Sequence, residues 1–248
     1  MAGDRRTRGR AVIRELTSAE DPAFKPAHAL LRKEFERDEM VPLGDWRYAL
    51  RELRADVWTD LGWHLLVAES GSTVLSVATG LYLGNVNVGV VGYVAVAPSA
   101  RRLGLGPRMR RTLIRRFEAD ARHAGRHGLE AIVGEVRADN PWLSSLVRRE
   151  GAIALDVPYF QPAYGPKHRA VPLVLYYQPL ERRRLVLGAA QVRRLLYTVW
   201  RRGYRVARPL EHAAFRRMLR ALEGRRVIGQ HPAVRELEAP HPRRSTAR

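Results

Sequence analysis

The feature that most constrains this chain is a strand that runs through a glycine loop into a helix, within Val91 to Ile114. Apolar, largely β-branched residues fill Val88 to Ala97, and Pro98 ends the run. Gly104-Leu105-Gly106 then leads into a helical pattern from Pro107 to Ala124, with Met109, Leu113, Phe117, Ala121 and Ala124 on one stripe and charges elsewhere. Glycines let a backbone approach an anion closely, and the unpaired amides and dipole of a helix's first turn favour negative charge. Arg101 and Arg102 add positive charge. The segment therefore predicts a phosphate cradle between a strand and a helix.

The flanking sequence supplies the rest of a mixed fold. Ala11 to Leu16 reads as a short strand, Pro26 to Met40 as a helix with Ala27, Leu30, Leu31 and Phe35 on one side, and Trp46 to Leu53 as a second helix. His64 to Glu69, Thr73 to Leu83 and Val88 to Ala97 are separated by Ser70-Gly71 and Gly84-Asn85, which predicts an antiparallel meander. Ala131 to Val136 is a further strand. Asn140-Pro141 then offers an N-cap followed by proline at the first helical position, and Gly151 closes that helix. Ala152 to Val157 and Val171 to Tyr177 predict the last strands, joined by the loop Pro158 to Ala170. Two amphipathic helices follow, Ala189 to Arg202 and Pro209 to Leu222. The class expected is α+β: a mixed, mainly antiparallel sheet flanked by helices, with a C-terminal helical extension.

Absences narrow the chemistry. The chain has no cysteine, so disulfides, thiolate catalysis and cysteine-ligated zinc are excluded. His64, His123 and His127 form no ligand constellation, and no metal is expected. No run approaches the length of a membrane span, and the start, Met1-Ala2-Gly3-Asp4-Arg5-Arg6, lacks the apolar segment of a secretory signal, so a cytoplasmic location is expected. The net charge is +19, and all basic residues but Lys25, Lys33 and Lys167 are arginine. From Leu180 to Arg248 there are 18 arginines and 5 glutamates, or +13, which leaves +6 for the residues before. Such a field favours acidic partners.

Arg101, Gly104 and Gly106, with the block Asn140 to Gly151 and the element order, resemble the GCN5-related N-acetyltransferases (GNAT) over about Ala11 to Tyr177. The resemblance implies an acyltransferase domain over residues 11–179, after a disordered start at 1–10. A basic helical extension at 180–229 and a disordered tail at 230–248 would follow. It implies acetyl-CoA or another acyl-CoA as co-substrate, and transfer to a primary amine by direct attack on the thioester. Backbone groups of Val94, Ala95 and Val96 would hold the pantetheine arm. Arg101 and the amides of Arg102, Leu103, Gly104, Leu105 and Gly106 would surround the pyrophosphate; Pro107 has no N–H to offer. Asn140 would bond the pantetheine as well as cap its helix. Family members often carry a tyrosine seven residues after this asparagine to protonate the departing thiolate, but here that residue is Val147.

Two residues are expected to complete the catalysis. Glu135 is an acid in an apolar strand that, by the resemblance, opens beside the cofactor, which suits a general base. Tyr159, in a long loop just after a strand, is the replacement acid, with Tyr93 a third candidate. Two rival readings stand: the same fold binding CoA without turnover, or a nucleic-acid-binding module built on Arg182 to Arg184, Arg193, Arg194, Arg201, Arg202, Arg216 and Arg217. The extension is expected to pack on the transferase domain or on a second subunit of a homodimer.

Overall fold

A computed structural model describes residues 11–165, 167–181, 184–232 and 234. In chain order the elements are β1 (Val12–Glu15), α1 (Phe24–Glu34), α2 (Leu43–Arg54), β2 (Leu61–Ser70), β3 (Thr73–Leu83), β4 (Val88–Val96) and α3 (Leu105–His123). Then come β5 (Ala131–Val136), α4 (Pro141–Glu150), β6 (Ile153–Ala154), β7 (Tyr159–Gln161) and β8 (Val171–Pro179). The extension contributes β9 (Leu187–Gly188), α5 (Ala189–Thr198), a π-helical turn (Val199–Gly203), α6 (Ala213–Arg220) and β10 (Val227–Ile228).

Among the described residues one sheet runs β1-β2-β3-β4-β5-β8-β6, with β7 also on β8. Its pairs are antiparallel apart from β4 with β5, whose parallel direction follows from the crossover through α3. One face packs on α3 and α4. Glycines let this packing close: a methyl group on Gly89 would overlap the Phe117 ring, and one on Gly134 the Tyr176 hydroxyl.

The opposite face is covered by two separate groups of side chains. At one end α1 and α2 cover Leu65, Val67, Val77 and Tyr93. At the other, α5 and α6 cover Leu83, Val88, Val133 and Tyr177. The sheet between these covers is left open, and there the cavity forms.

Several boundaries differ from expectation. The first helix begins at Phe24 and stops at Glu34, where Phe35 turns extended, and Arg37–Glu39 form only a 3-10 turn. The strand foreseen at Ala152 to Val157 shrinks to β6, because the Asp156 amide donates to Gly229 and Leu155 forms a bridge with Gln230. Part of the foreseen loop, Tyr159–Gln161, becomes β7 by pairing with Val171–Leu173. The helix foreseen to Arg202 widens into the π turn, and α6 is preceded by a 3-10 turn at Pro209–Glu211. Gln230, the expected start of the tail, accepts from the Ala154 amide, and Val234 is buried beside α3 and α4. Residues 1–10 and 235–248 lie outside the described residues, as do Arg182 and Arg183. Among the described residues no helix is long and apolar enough to cross a membrane.

Candidate active site

The central strands part company at Val91 and Gly134. Their ladder ends there, yet β4 continues to Val96 and β5 to Val136. On the β3 side the register slips between Ala78 and Gly80, and the Thr79 hydroxyl takes the Tyr93 amide that the bulge displaces. The fork opens a cavity of about 820 Å³, lined at one end by Val94, Val96, Gly106, Arg111 and Asn140. Its other end lies on the uncovered sheet face, where Trp63, Leu81, Val90 and Glu135 meet Trp46 of α2 and Val199 of the π turn.

At the loop before α3 the backbone turns sharply. Arg102 and Gly104 both have positive φ, 78° and 67°, and Gly104 is the N-cap of α3. The Leu103 amide is already used, donating to Ala100, while the first-turn amides of Leu105 and Gly106 have no intrahelical acceptor. Leu105 itself is buried against the α3 face, and Leu103 is exposed. Arg101 pairs with Glu34 of α1 at 2.7 Å. Ala95 turns its side chain toward α1, and its carbonyl accepts from Ser76 at 2.6 Å. Asn140 caps α4 by accepting from the Trp142 amide at 3.0 Å, and Gly151 closes that helix with φ 69°.

At the end on the uncovered sheet face, Glu135 lies under two phenols. Tyr159 donates to one carboxylate oxygen at 2.5 Å and Tyr204 to the other. Glu135 is partly exposed and lines the cavity. Burial pushes its carboxyl up to about 7, against the pull of the two hydroxyls. A carboxyl poised there can take a proton at neutral pH.

Tyrosine is also present at the fork itself. Tyr176 of β8 is fully buried, lines the cavity, and sets its hydroxyl beside Gly134, the last paired residue of β5. That hydroxyl has no hydrogen-bond partner of good geometry among the described residues. Burial raises it to about 12, and the nearby Arg110 guanidinium pulls the other way. Val147 is buried in the same cluster as Tyr176 and does not line the cavity.

Residues 26–147 match the acetyltransferase (GNAT) family. The chain carries a GNAT acetyltransferase domain. The fold is similar to that of a GNAT-family protein from Bacteroides thetaiotaomicron, with a TM-score of 0.55 and 18% identity over 79% of this chain and 99% of that one. It is also similar to a ribosomal-protein-alanine N-acetyltransferase from Brucella melitensis, with a TM-score of 0.48 and 21% identity over 68% of this chain and 99% of that one. A phosphinothricin acetyltransferase from Sinorhizobium meliloti, solved with acetyl-CoA, gives a TM-score of 0.47 and 15% identity over 68% of this chain and 88% of that one. No curated protein matches the sequence.

The structure brings Glu135 of this GNAT domain and Tyr159, which follows the matched residues, together but keeps Tyr159 off the cavity wall. Its hydroxyl is committed to Glu135, so it is not placed to serve a leaving thiolate. Tyr93 is also committed: it donates to the Glu39 carbonyl at 2.5 Å and accepts from the Val41 amide at 3.0 Å. Sequence reasoning missed Tyr176 and Tyr204. Tyr176 was visible as an aromatic in the last strand, but its position at the fork depends on the register with Gly134. No local signal marks Tyr204, whose role exists only once the extension folds back.

Proposed function

We propose that the protein moves an acetyl or longer acyl group from acyl-CoA to a primary amine, with Glu135 as general base. The observation that carries this reading is the Glu135 carboxyl, held by two phenols on the cavity wall at the fork, where desolvation raises its pKa to about 7. An amine arrives in water as its ammonium form and must lose a proton before it can attack. Glu135 faces the cavity beside the fork, and its raised pKa suits that step.

The fork fits the co-substrate. Val94 to Val96 leave strand edge beyond the ladder for a pantetheine arm. The first-turn amides of α3, with Gly104 in its left-handed turn and Arg111 near them, suit a pyrophosphate. When bound there, acyl-CoA supplies an activated carbonyl. Arg101, Arg102, Gly104, Leu105 and Gly106 would frame its phosphates, whereas Leu103, whose amide already donates to Ala100, has no donor left to offer them. Asn140 would face the arm.

Tyr159 and Tyr204 act as positioning residues that hold the Glu135 carboxylate in one orientation. The acid role expected of Tyr159 passes to Tyr176, whose free hydroxyl at the fork can protonate the thiolate while Arg110 stabilises the phenolate left behind. The basic extension has less free charge than its sequence promises: Arg202, Arg205 and Arg225 are each paired with a carboxylate.

The test is Glu135→Gln. The expected result is a fall in turnover on the order of 10² to 10³ with CoA affinity unchanged in titration calorimetry. Unchanged turnover would remove Glu135 as the base.

A further inference from the structure

The acceptor end of the cavity has walls from two sources. Trp46 and Ala49 of α2 face Trp63 of β2 across one side, the two indoles 6.1 Å apart. Val199 and Gly203 of the π turn form the other side, against Leu81. The extension is strapped to the domain over this end. Arg202 makes two hydrogen bonds to Asp60 at 2.6 and 2.9 Å, and its guanidinium lies over the Trp58 ring. Arg205 pairs with Glu52 at 2.5 Å and lies over Tyr48. Trp200 donates to the Phe160 carbonyl at 3.0 Å.

Charge along the cavity is polarised. Of the charged side chains that line it, three make no ion pair among the described residues: Arg111 beside the α3 N-terminus, and Glu135 and Asp45 of α2 at the opposite end. The arginines near the acceptor end, Arg137, Arg202 and Arg205, are each held by carboxylates. Among the described residues no unpaired cation lines that end to receive a carboxylate or phosphate on the acceptor, whereas Asp45 favours an incoming ammonium. The walls are apolar and aromatic, and the strap narrows the side from which a polypeptide would enter.

Resting on the acyl-transfer reading above, we infer that the acceptor is a small primary amine with an apolar body about the size of an aromatic ring and no carboxylate of its own. The body lies among Trp46, Trp63, Leu81 and Val199, and the nitrogen points to Glu135. An amino acid would bring a carboxylate with no partner into this end. A peptide would have to displace the strap, and spermidine, with two cations left beside its reacting nitrogen, would bring one more than Asp45 can balance against the apolar wall.

The experiment measures CoA release from acetyl-CoA by the full chain with 2-phenylethylamine, hexylamine, L-phenylalanine, spermidine and a tripeptide with a free N-terminus. The first two are expected to give kcat/KM at least tenfold above the others. If phenylalanine, spermidine or the tripeptide equals them, the inference is overturned while acyl transfer stands. If no acceptor releases CoA although titration shows that CoA binds, the acyl-transfer reading falls and the inference with it. A second arm uses Gly203→Leu, since a Cβ at Gly203 meets Val199 and Leu81 only at ordinary contact distance. The ratio of kcat/KM for 2-phenylethylamine to that for ethylamine is expected to drop at least tenfold. An unchanged ratio in a variant with native circular dichroism overturns the placement of the pocket.

Discussion

Tyr204 of the extension donates its hydroxyl to Glu135 of β5, across 69 residues of sequence. A buried carboxylate gains from each donor, so removing one disfavours its charged form. In Tyr204→Phe the Glu135 pKa should rise above its value of about 7. The acid limb of the kcat/KM profile should move to higher pH, and turnover at pH 7 should fall about tenfold. A pH–rate series on both proteins checks this, and an unshifted limb would mean the phenol does not tune the base.

Tyr176→Phe separates catalysis from stability. Its hydroxyl is buried without a good partner, so deleting it should leave the melting temperature unchanged or higher. If this phenol protonates the thiolate, kcat should nonetheless drop on the order of 10²-fold. Single-turnover kinetics beside calorimetry give both numbers. A loss of stability with intact kcat would reduce Tyr176 to packing.

His64 makes a stability prediction. Its ring sits between Glu15 at 2.6 Å and Asp120 at 2.7 Å, joining β1, β2 and α3. Burial alone would lower its pKa, but the hydrogen bonds to Asp120 and Glu15 outweigh this and raise it to about 9 from 6.5. Because the folded value lies above the unfolded one, the stabilisation is complete below about pH 6.5 and is lost as pH rises through about 9. It amounts to about 3 kcal/mol at most. His64→Gln should therefore melt well below the parent protein at pH 6, with the gap shrinking by pH 10. A gap independent of pH would show that the imidazolium is not the stabilising form.

Gly104→Asp should weaken CoA binding more than tenfold, measured by calorimetry. It places a carboxylate where the phosphates are expected and loads a left-handed backbone position, φ 67°. Retained affinity would move the pyrophosphate away from this loop.

Legibility followed the range of the interactions. The meander, the α3 stripe and the Asn140-to-Gly151 helix were readable because alternation, amphipathic period and caps are local. Glu135 stood out as an acid in an apolar strand. Its partners could not be read so easily: Tyr204 reaches it only through long-range packing, and the fork that exposes Tyr176 depends on where the β4–β5 ladder stops. His64 gave no sign of its paired carboxylates, since Glu15 and Asp120 lie 49 and 56 residues away. Packing of the extension on its own domain was expected, but the pairs that fasten it, Arg202 with Asp60, Arg205 with Glu52 and Arg225 with Asp156, join residues too far apart in sequence to be read.

The strap over the acceptor end carries one more consequence. The family match ends at residue 147, whereas Val199, Gly203 and Tyr204, which wall the acceptor end and orient the base, come after it. One side of that end, Trp46, Trp63 and Glu135, lies inside the match, and the other side lies outside it. On the proposed reading, exchange of the extension between related chains would reshape one wall of the nucleophile's pocket while Glu135 and the α3 loop stay as they are.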